Sequence, residues 1–215
     1  MKIAIDLNGV VRDVFSKSAQ VYEKFYLDEL SESSSSHYNE ETKEWVKEDE
    51  NEDSFNYELD LPVTSLNLID HFKFDKSEDL YNFFYVDFPM EIFGHSPSMQ
   101  NNTFNILNDI YVDFRDFNEI TIISDEIGKS KPATLFFLSK YGCLIENIKF
   151  YSKVTLSDTF DSFDVIITSN PDLLSLKNNN KTIIKVVTTY NSEFNGDYNI
   201  SSIEELSEVL KKINI

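Results

Sequence analysis

The first thirteen residues, Met1-Lys-Ile-Ala-Ile-Asp-Leu-Asn-Gly-Val-Val-Arg-Asp13, constrain this chain more than any other stretch. A short apolar run ends on a carboxylate, Asp6, and Asn8, Gly9 and two valines follow. The pattern predicts a buried strand over residues 2–7 that delivers an aspartate into a tight loop at the carboxyl edge of a parallel sheet. The amide at position 8 matters as much. A carboxylate there could exchange a proton with a neighbouring group, and an asparagine cannot.

Downstream, strands and helices alternate. Residues 120–123, 148–151, 164–168 and 182–187 read as strands, and 132–141, 171–176 and 203–213 as helices. Gly142 is the expected stop of the first of these helices, and Ser201 or Ser202 the cap of the last. Such alternation implies a parallel, doubly wound sheet. Between strand one and this region lies a different kind of sequence. Residues 14–30 have helical apolar spacing, 65–97 read as short helices, and 100–116 as one more. From Asp28 to Asp60 there are thirteen acids against two lysines, a block expected to be solvated and mobile. Trp45, Phe55 and Tyr57 within it suggest that part of the block docks on something. The aromatic series Tyr81, Phe83, Phe84, Tyr85, Phe88, Phe93 reads as the core of this inserted region.

Composition excludes several classes. With 215 residues and a net charge of −19, the chain has room for one sizeable core and lacks the basic surface that nucleic-acid phosphates require. No apolar stretch approaches the ~18 residues of a membrane span. Asp6 interrupts the first apolar run too early for a secretory signal. The one cysteine, Cys143, rules out an internal disulfide and reads as a small buried residue. The histidines His37, His71 and His95 are too scattered for a zinc site.

Four positions fall where a doubly wound sheet presents chemistry, at strand ends: Asp6 to Gly9, Ser124, Lys129 or Lys131, and Thr168-Ser169-Asn170-Pro171-Asp172. Asp125 and Glu126 read as acids placed at a helix N-terminus by the helix dipole. The order and spacing of the four resemble the haloacid dehalogenase (HAD) superfamily. Within it they are most similar to the small 5'-nucleotidase-like branch of bacteria and phages. The resemblance implies an α/β three-layer sandwich with a parallel Rossmann-type core sheet and a helical cap. The core would comprise residues 1–13 and 117–215, and the cap 14–116 with the acidic segment 28–60.

The resemblance also implies roles. Asp6 corresponds to the nucleophile, Asn8 to the general acid/base, Ser124 to the phosphoryl-binding hydroxyl and Lys131 to the charge-neutralising lysine. Magnesium would be held by Asp6, the backbone carbonyl of Asn8 and an acid after a later strand. The family places an Asp-Asp pair there, before Asn-Pro. This chain has Thr168-Ser169, leaving Asp172 as the nearest carboxylate. Loss of acid/base help alone costs about 100- to 10,000-fold in rate. The expectation is therefore a catalytically impaired, nucleotidase-like protein that needs no cofactor and acts as a structural or interaction module. By the same resemblance it partners other protein subunits, as a ring or homo-oligomer in a phage virion, with the virion or host cytoplasm as its location. The alternative is an active magnesium-dependent phosphatase working through an Asp6 phosphoryl intermediate.

Overall fold

The computed structural model describes residues 1–27, 36–39, 44–47, 63, 66–72 and 74–213. Six strands build one parallel sheet: β1 (Lys2–Asp6), β4 (Glu119–Ser124), β5 (Asn147–Phe150), β6 (Val165–Thr168), β7 (Thr182–Val186) and β8 (Tyr198–Ile200). Their order across the sheet is β5-β4-β1-β6-β7-β8. Strand one thus lies centrally, with β4 on one side and β6 on the other. The β8 strand was not expected from the sequence. Three residues bounded by Asp197 and Ser201 are too few to show an alternating pattern.

The strands are apolar on both faces because both are covered. Ile3, Ile5, Ile120, Ile122, Val165, Ile167 and Ile184 face one core. There they meet α4 (Thr103–Phe114), α5 (Ser130–Lys140) and α8 (Leu206–Lys212) through Leu107, Ile110, Phe137, Leu206 and Leu210. Ala4, Ile123, Ile166 and Ile183 face the opposite side, where α6 (Leu156–Asp161) and α7 (Pro171–Ser175) supply Phe160, Leu173 and Leu174. Each fully buried branched side chain of this kind contributes roughly 1.5–3 kcal/mol. The result is the expected α/β sandwich of three layers.

A second cluster of apolar residues stands apart from the sheet. It joins Val14, Ala19 and Tyr22 of α1 (Val14–Tyr22) to Phe72, Phe83, Phe84, Ile92 and Phe93, and rests on Ala133 of α5. Here α2 (Leu68–His71) and α3 (Ser77–Asn82) are short, and the chain continues in π-helical turns at Phe83–Asp87 and Met90–Gly94. Phe83, Phe84 and Phe93 are buried, as the aromatic series suggested, while Tyr81 stays exposed. Helix α4 differs from expectation. The sequence reading put it in the insertion, but Phe104, Leu107, Ile110 and Phe114 all pack into the sheet core.

Within the acidic block, Ser36–Asn39 (β2) pairs antiparallel with Glu44–Lys47 (β3), a hairpin that the charge pattern did not announce. The rest of that block, with Phe55 and Tyr57 and its expected mobility, lies outside the described residues. No helix among the described residues is long and apolar enough to cross a membrane.

Candidate functional site

Three adjacent strands end at one edge. There β1 delivers Asp6, β4 delivers Ser124 and β6 delivers Thr168, all buried. The loop after β1 turns back at once: Gly9 N–H donates to Arg12 O at 2.9 Å, and Val11 and Arg12 N–H both donate to Leu7 O. Gly9 adopts φ +75°, and a Cβ there would collide with the Tyr190 hydroxyl and Ser169 Oγ. Only glycine fits this turn.

On the β6 side, Asp6 meets hydroxyls. Thr168 Oγ1 donates to Asp6 Oδ2 at 2.6 Å and accepts from Asn170 N–H at 2.9 Å. Ser169 Oγ donates to the Asn8 carbonyl oxygen at 3.2 Å and lies 2.9 Å from the Tyr190 hydroxyl. Asn170 caps α7 by accepting from Asp172 N–H, with Pro171 opening the helix. Among the described residues, the buried Asp6 Oδ1 has no hydrogen-bond partner. Burial, and next the negative charge of Asp125, hold the Asp6 carboxyl well above the usual carboxylate range, opposed by the Thr168 and Leu7 hydrogen bonds and by Arg12. Burial likewise pushes the Tyr190 hydroxyl up to about 12.

On the β4 side the site is ionic. Arg12 is fully buried and makes a salt bridge through Nη2 to Glu126, also fully buried. The guanidinium donates further to Thr134 Oγ1 at 2.7 Å, to the Phe93 carbonyl at 3.0 Å, and from Nε and Nη2 to Asn8 Oδ1 at 3.0 and 2.6 Å. Its carbon lies 5.2 Å from the ring centroids of both Phe93 and Phe137. Ser124 Oγ donates to Glu126 Oε1 at 3.0 Å, and Thr134 Oγ1 hydrogen-bonds Glu126 Oε2. Asn8 Nδ2 donates to Asp125 Oδ1 at 2.8 Å, completing the chain of contacts. Asparagine is the side chain this position can use: it accepts from Arg12 while donating to Asp125, which a carboxylate cannot do.

Of the residues singled out from sequence, Asp6, Asn8 and Ser124 therefore meet at one edge, but each is already engaged. Ser124, expected to hold phosphoryl oxygens, spends its hydroxyl on Glu126. Lys131 makes no hydrogen bond or ion pair with them among the described residues. It is exposed at the start of α5, with its ammonium 5.4 Å from the Phe150 ring centroid, at the end of β5. Lys129 reaches the Val86 carbonyl at 3.4 Å. Asp172 is exposed at the head of α7 and makes no contact with Asp6 among the described residues.

Arg12, Asp125, Glu126 and Thr134 were missed or read otherwise. Asp125 and Glu126 were expected to sit at a helix N-terminus, but α5 starts only at Ser130, and Glu126 turns inward to Arg12. One signal was present: Arg12 is one of two arginines among nineteen basic residues. A chain that otherwise uses lysine has placed a planar five-donor fork immediately after two valines.

The donor set fits a divalent cation poorly. Magnesium binding through protein groups commonly takes one or two carboxylates. Here Asp6 is a single buried carboxyl, the Asn8 carbonyl is capped by Ser169, and Thr168 stands where the second acid would be. No three His, Cys, Asp or Glu side chains converge on a metal-sized site among the described residues.

Over this edge opens a cleft of about 310 Å³ lined by Asn8, Asp125, Asn170, Asp172 and Lys153, and by aromatic rings from the inserted region.

No protein-family model matches the sequence, and no curated protein matches it. Solved structures do. A haloacid dehalogenase-like hydrolase from Burkholderia xenovorans superposes with a TM-score of 0.54 at 12% identity, over 100% of this chain and 98% of that one. A dehalogenase described with an intermediate complex gives 0.52 at 10% identity, over 97% and 96%. The HAD-hydrolase YfnB from Bacillus subtilis, described bound to magnesium, gives 0.54 at 10% identity, over 98% of each chain. The chain has the HAD-like fold. At these identities the likeness extends to the whole architecture, and the chemistry must be argued from this chain's own residues. None of the three is described as a 5'-nucleotidase.

Proposed function

We propose that this HAD-fold protein does not turn over phosphomonoesters, and works as a binding or structural module. One observation carries the reading: the charges at the sheet edge are spent on one another. Phosphoryl transfer to a carboxylate needs cationic groups free to screen two negative partners, and these groups must be aimed at the transferred oxygens. Arg12 is buried against Glu126, Lys131 lies over Phe150, and Ser124 is turned to Glu126. Proton transfer needs a titrating group at position 8, which is an amide.

The expected association with other protein subunits, as a ring or homo-oligomer in a phage particle, belongs to the same proposal. It draws on the resemblance and on the amide at position 8 where a proton shuttle would stand, and native mass measurement of the purified protein tests it.

The catalytic side is tested with nucleoside monophosphates and phenyl phosphate in the presence of magnesium. The expected result is no release of phosphate above the buffer rate. Turnover that disappears in Asp6→Asn would establish the alternative, a magnesium phosphatase using Asp6 as nucleophile. The geometry also refines an attempt to rebuild the enzyme. Asn8→Asp would set a new carboxylate against Asp125, so it must be combined with Asp125→Asn and with Ser169→Asp.

A further inference from the structure

The cleft above the strand ends has two kinds of lining residue. Phe15, Tyr81, Phe84, Tyr85 and Phe93 form an aromatic wall. Tyr81 and Tyr85 stand 5.3 Å apart at 45°, and Tyr85 stacks on Phe93 at 5.7 Å. Among the described residues, the lining also carries Asp125 and Asp172, both exposed, and one cation, Lys153. Asp125 gives one oxygen to Asn8, and among the described residues its other oxygen accepts no hydrogen bond. Neither carboxylate makes an ion pair with Lys153. Arg12 adds nothing to the balance, because Glu126 cancels it below the surface. Among the described residues, the lining therefore presents two carboxylates against one ammonium, beside several aromatic rings.

This is the wrong balance for a phosphate and the right one for an organic cation. Ring faces attract ammonium groups, and more strongly where water is excluded. A volume of about 310 Å³ has room for a small organic molecule. We propose that the cleft binds a small organic cation with an apolar body, its ammonium beside Asp125 and Asp172 and its body on the Tyr81–Tyr85–Phe84 wall. The inference rests on the reading of the site as non-hydrolysing and names the class of ligand it holds.

The test uses the full chain and three probes that share a phenyl ring: benzyltrimethylammonium, benzyl alcohol and phenyl phosphate. Calorimetry is expected to give one saturable site for the cation, with affinity at least about tenfold above the neutral alcohol and no detectable binding of phenyl phosphate. Asp125→Asn, which keeps an acceptor for Asn8, is expected to lower cation affinity about tenfold. Tyr81→Leu, at a residue 44% exposed and so tolerant of change, is expected to lower it several-fold. Equal affinity for cation and alcohol, unchanged affinity in both variants, or preference for phenyl phosphate would overturn the inference. Hydrolysis of phenyl phosphate in the same samples would overturn the proposed function instead. Failure of the cation to bind, without hydrolysis, would overturn only the ligand assignment.

Discussion

The two flanks of Asp6 solve the same problem with opposite chemistry. Toward β4 the protein buries full charges and matches them: Arg12 against Glu126, with Asn8, Ser124 and Thr134 filling the remaining donor and acceptor sites. Toward β6 it buries neutral hydroxyls, with Thr168 on Asp6 and Ser169 between Asn8 and Tyr190. The ionic flank is rigid through mutual dependence, since removing either charge strands the other in a dry interior. The neutral flank leaves Asp6 a lone buried carboxyl whose pKa burial holds above the usual carboxylate range. On the proposed reading, neither flank offers what a phosphoryl group requires.

The sharpest way to break the comparison is on the ionic flank. Glu126→Ala is expected to cost about 3–5 kcal/mol, because it leaves the Arg12 guanidinium buried and unpaired. Denaturant unfolding measures this. The double variant Arg12→Met, Glu126→Leu should recover most of the loss, since paired apolar replacements of a buried ion pair are often close to neutral. A double variant no more stable than Glu126→Ala would mean that the guanidinium is held chiefly by its ring and carbonyl contacts.

At the hinge between the flanks, Gly9→Ala is expected to cost about 1–3 kcal/mol. The position combines a left-handed backbone with the close approach of Tyr190 and Ser169. Tyr190→Phe should relieve part of that cost if the collision contributes, and none of it if backbone conformation is the whole effect. Thermal melts of the single and double variants decide.

The smallest effect is expected on the neutral flank, and its sign is informative. The Asp6 carboxyl is raised in the folded state, so between the unfolded and folded pKa values the native protein holds more protons. The contribution of this group is most favourable below its unfolded value near 4 and is lost as pH rises through the folded value. Asp6→Asn keeps an acceptor for Thr168 and removes the penalty. It should therefore stabilise the protein at pH 7–8, with the gain shrinking as pH falls toward 4. A destabilising Asp6→Asn at pH 7 would contradict this account of the neutral flank.

How far this was legible in the sequence follows the same division. The sheet was readable because strands covered on both faces are continuous apolar runs, as in Ile120–Ile123 and Val165–Ile167. Asp6 was readable because it ends such a run. Helix α4 was readable as a helix, but its neighbours were not. An apolar stripe formed by Phe104, Leu107 and Ile110 looks the same whether it faces a sheet or a cap. The ionic flank was opaque for a related reason. Asp125 and Glu126 are adjacent acids in a loop, and nothing local says that one turns outward while the other reaches Arg12, 114 positions away. Lys131 matched by spacing alone, and spacing along α5 does not fix where a flexible ammonium rests.

The most direct test of the claim that this cleft has lost phosphoryl chemistry is titration of the full chain with magnesium and beryllium fluoride, a mimic of an aspartyl phosphate, followed by calorimetry. The account predicts no saturable heat and an indistinguishable trace for Asp6→Asn. A one-to-one binding event that needs both magnesium and the Asp6 carboxylate would contradict it.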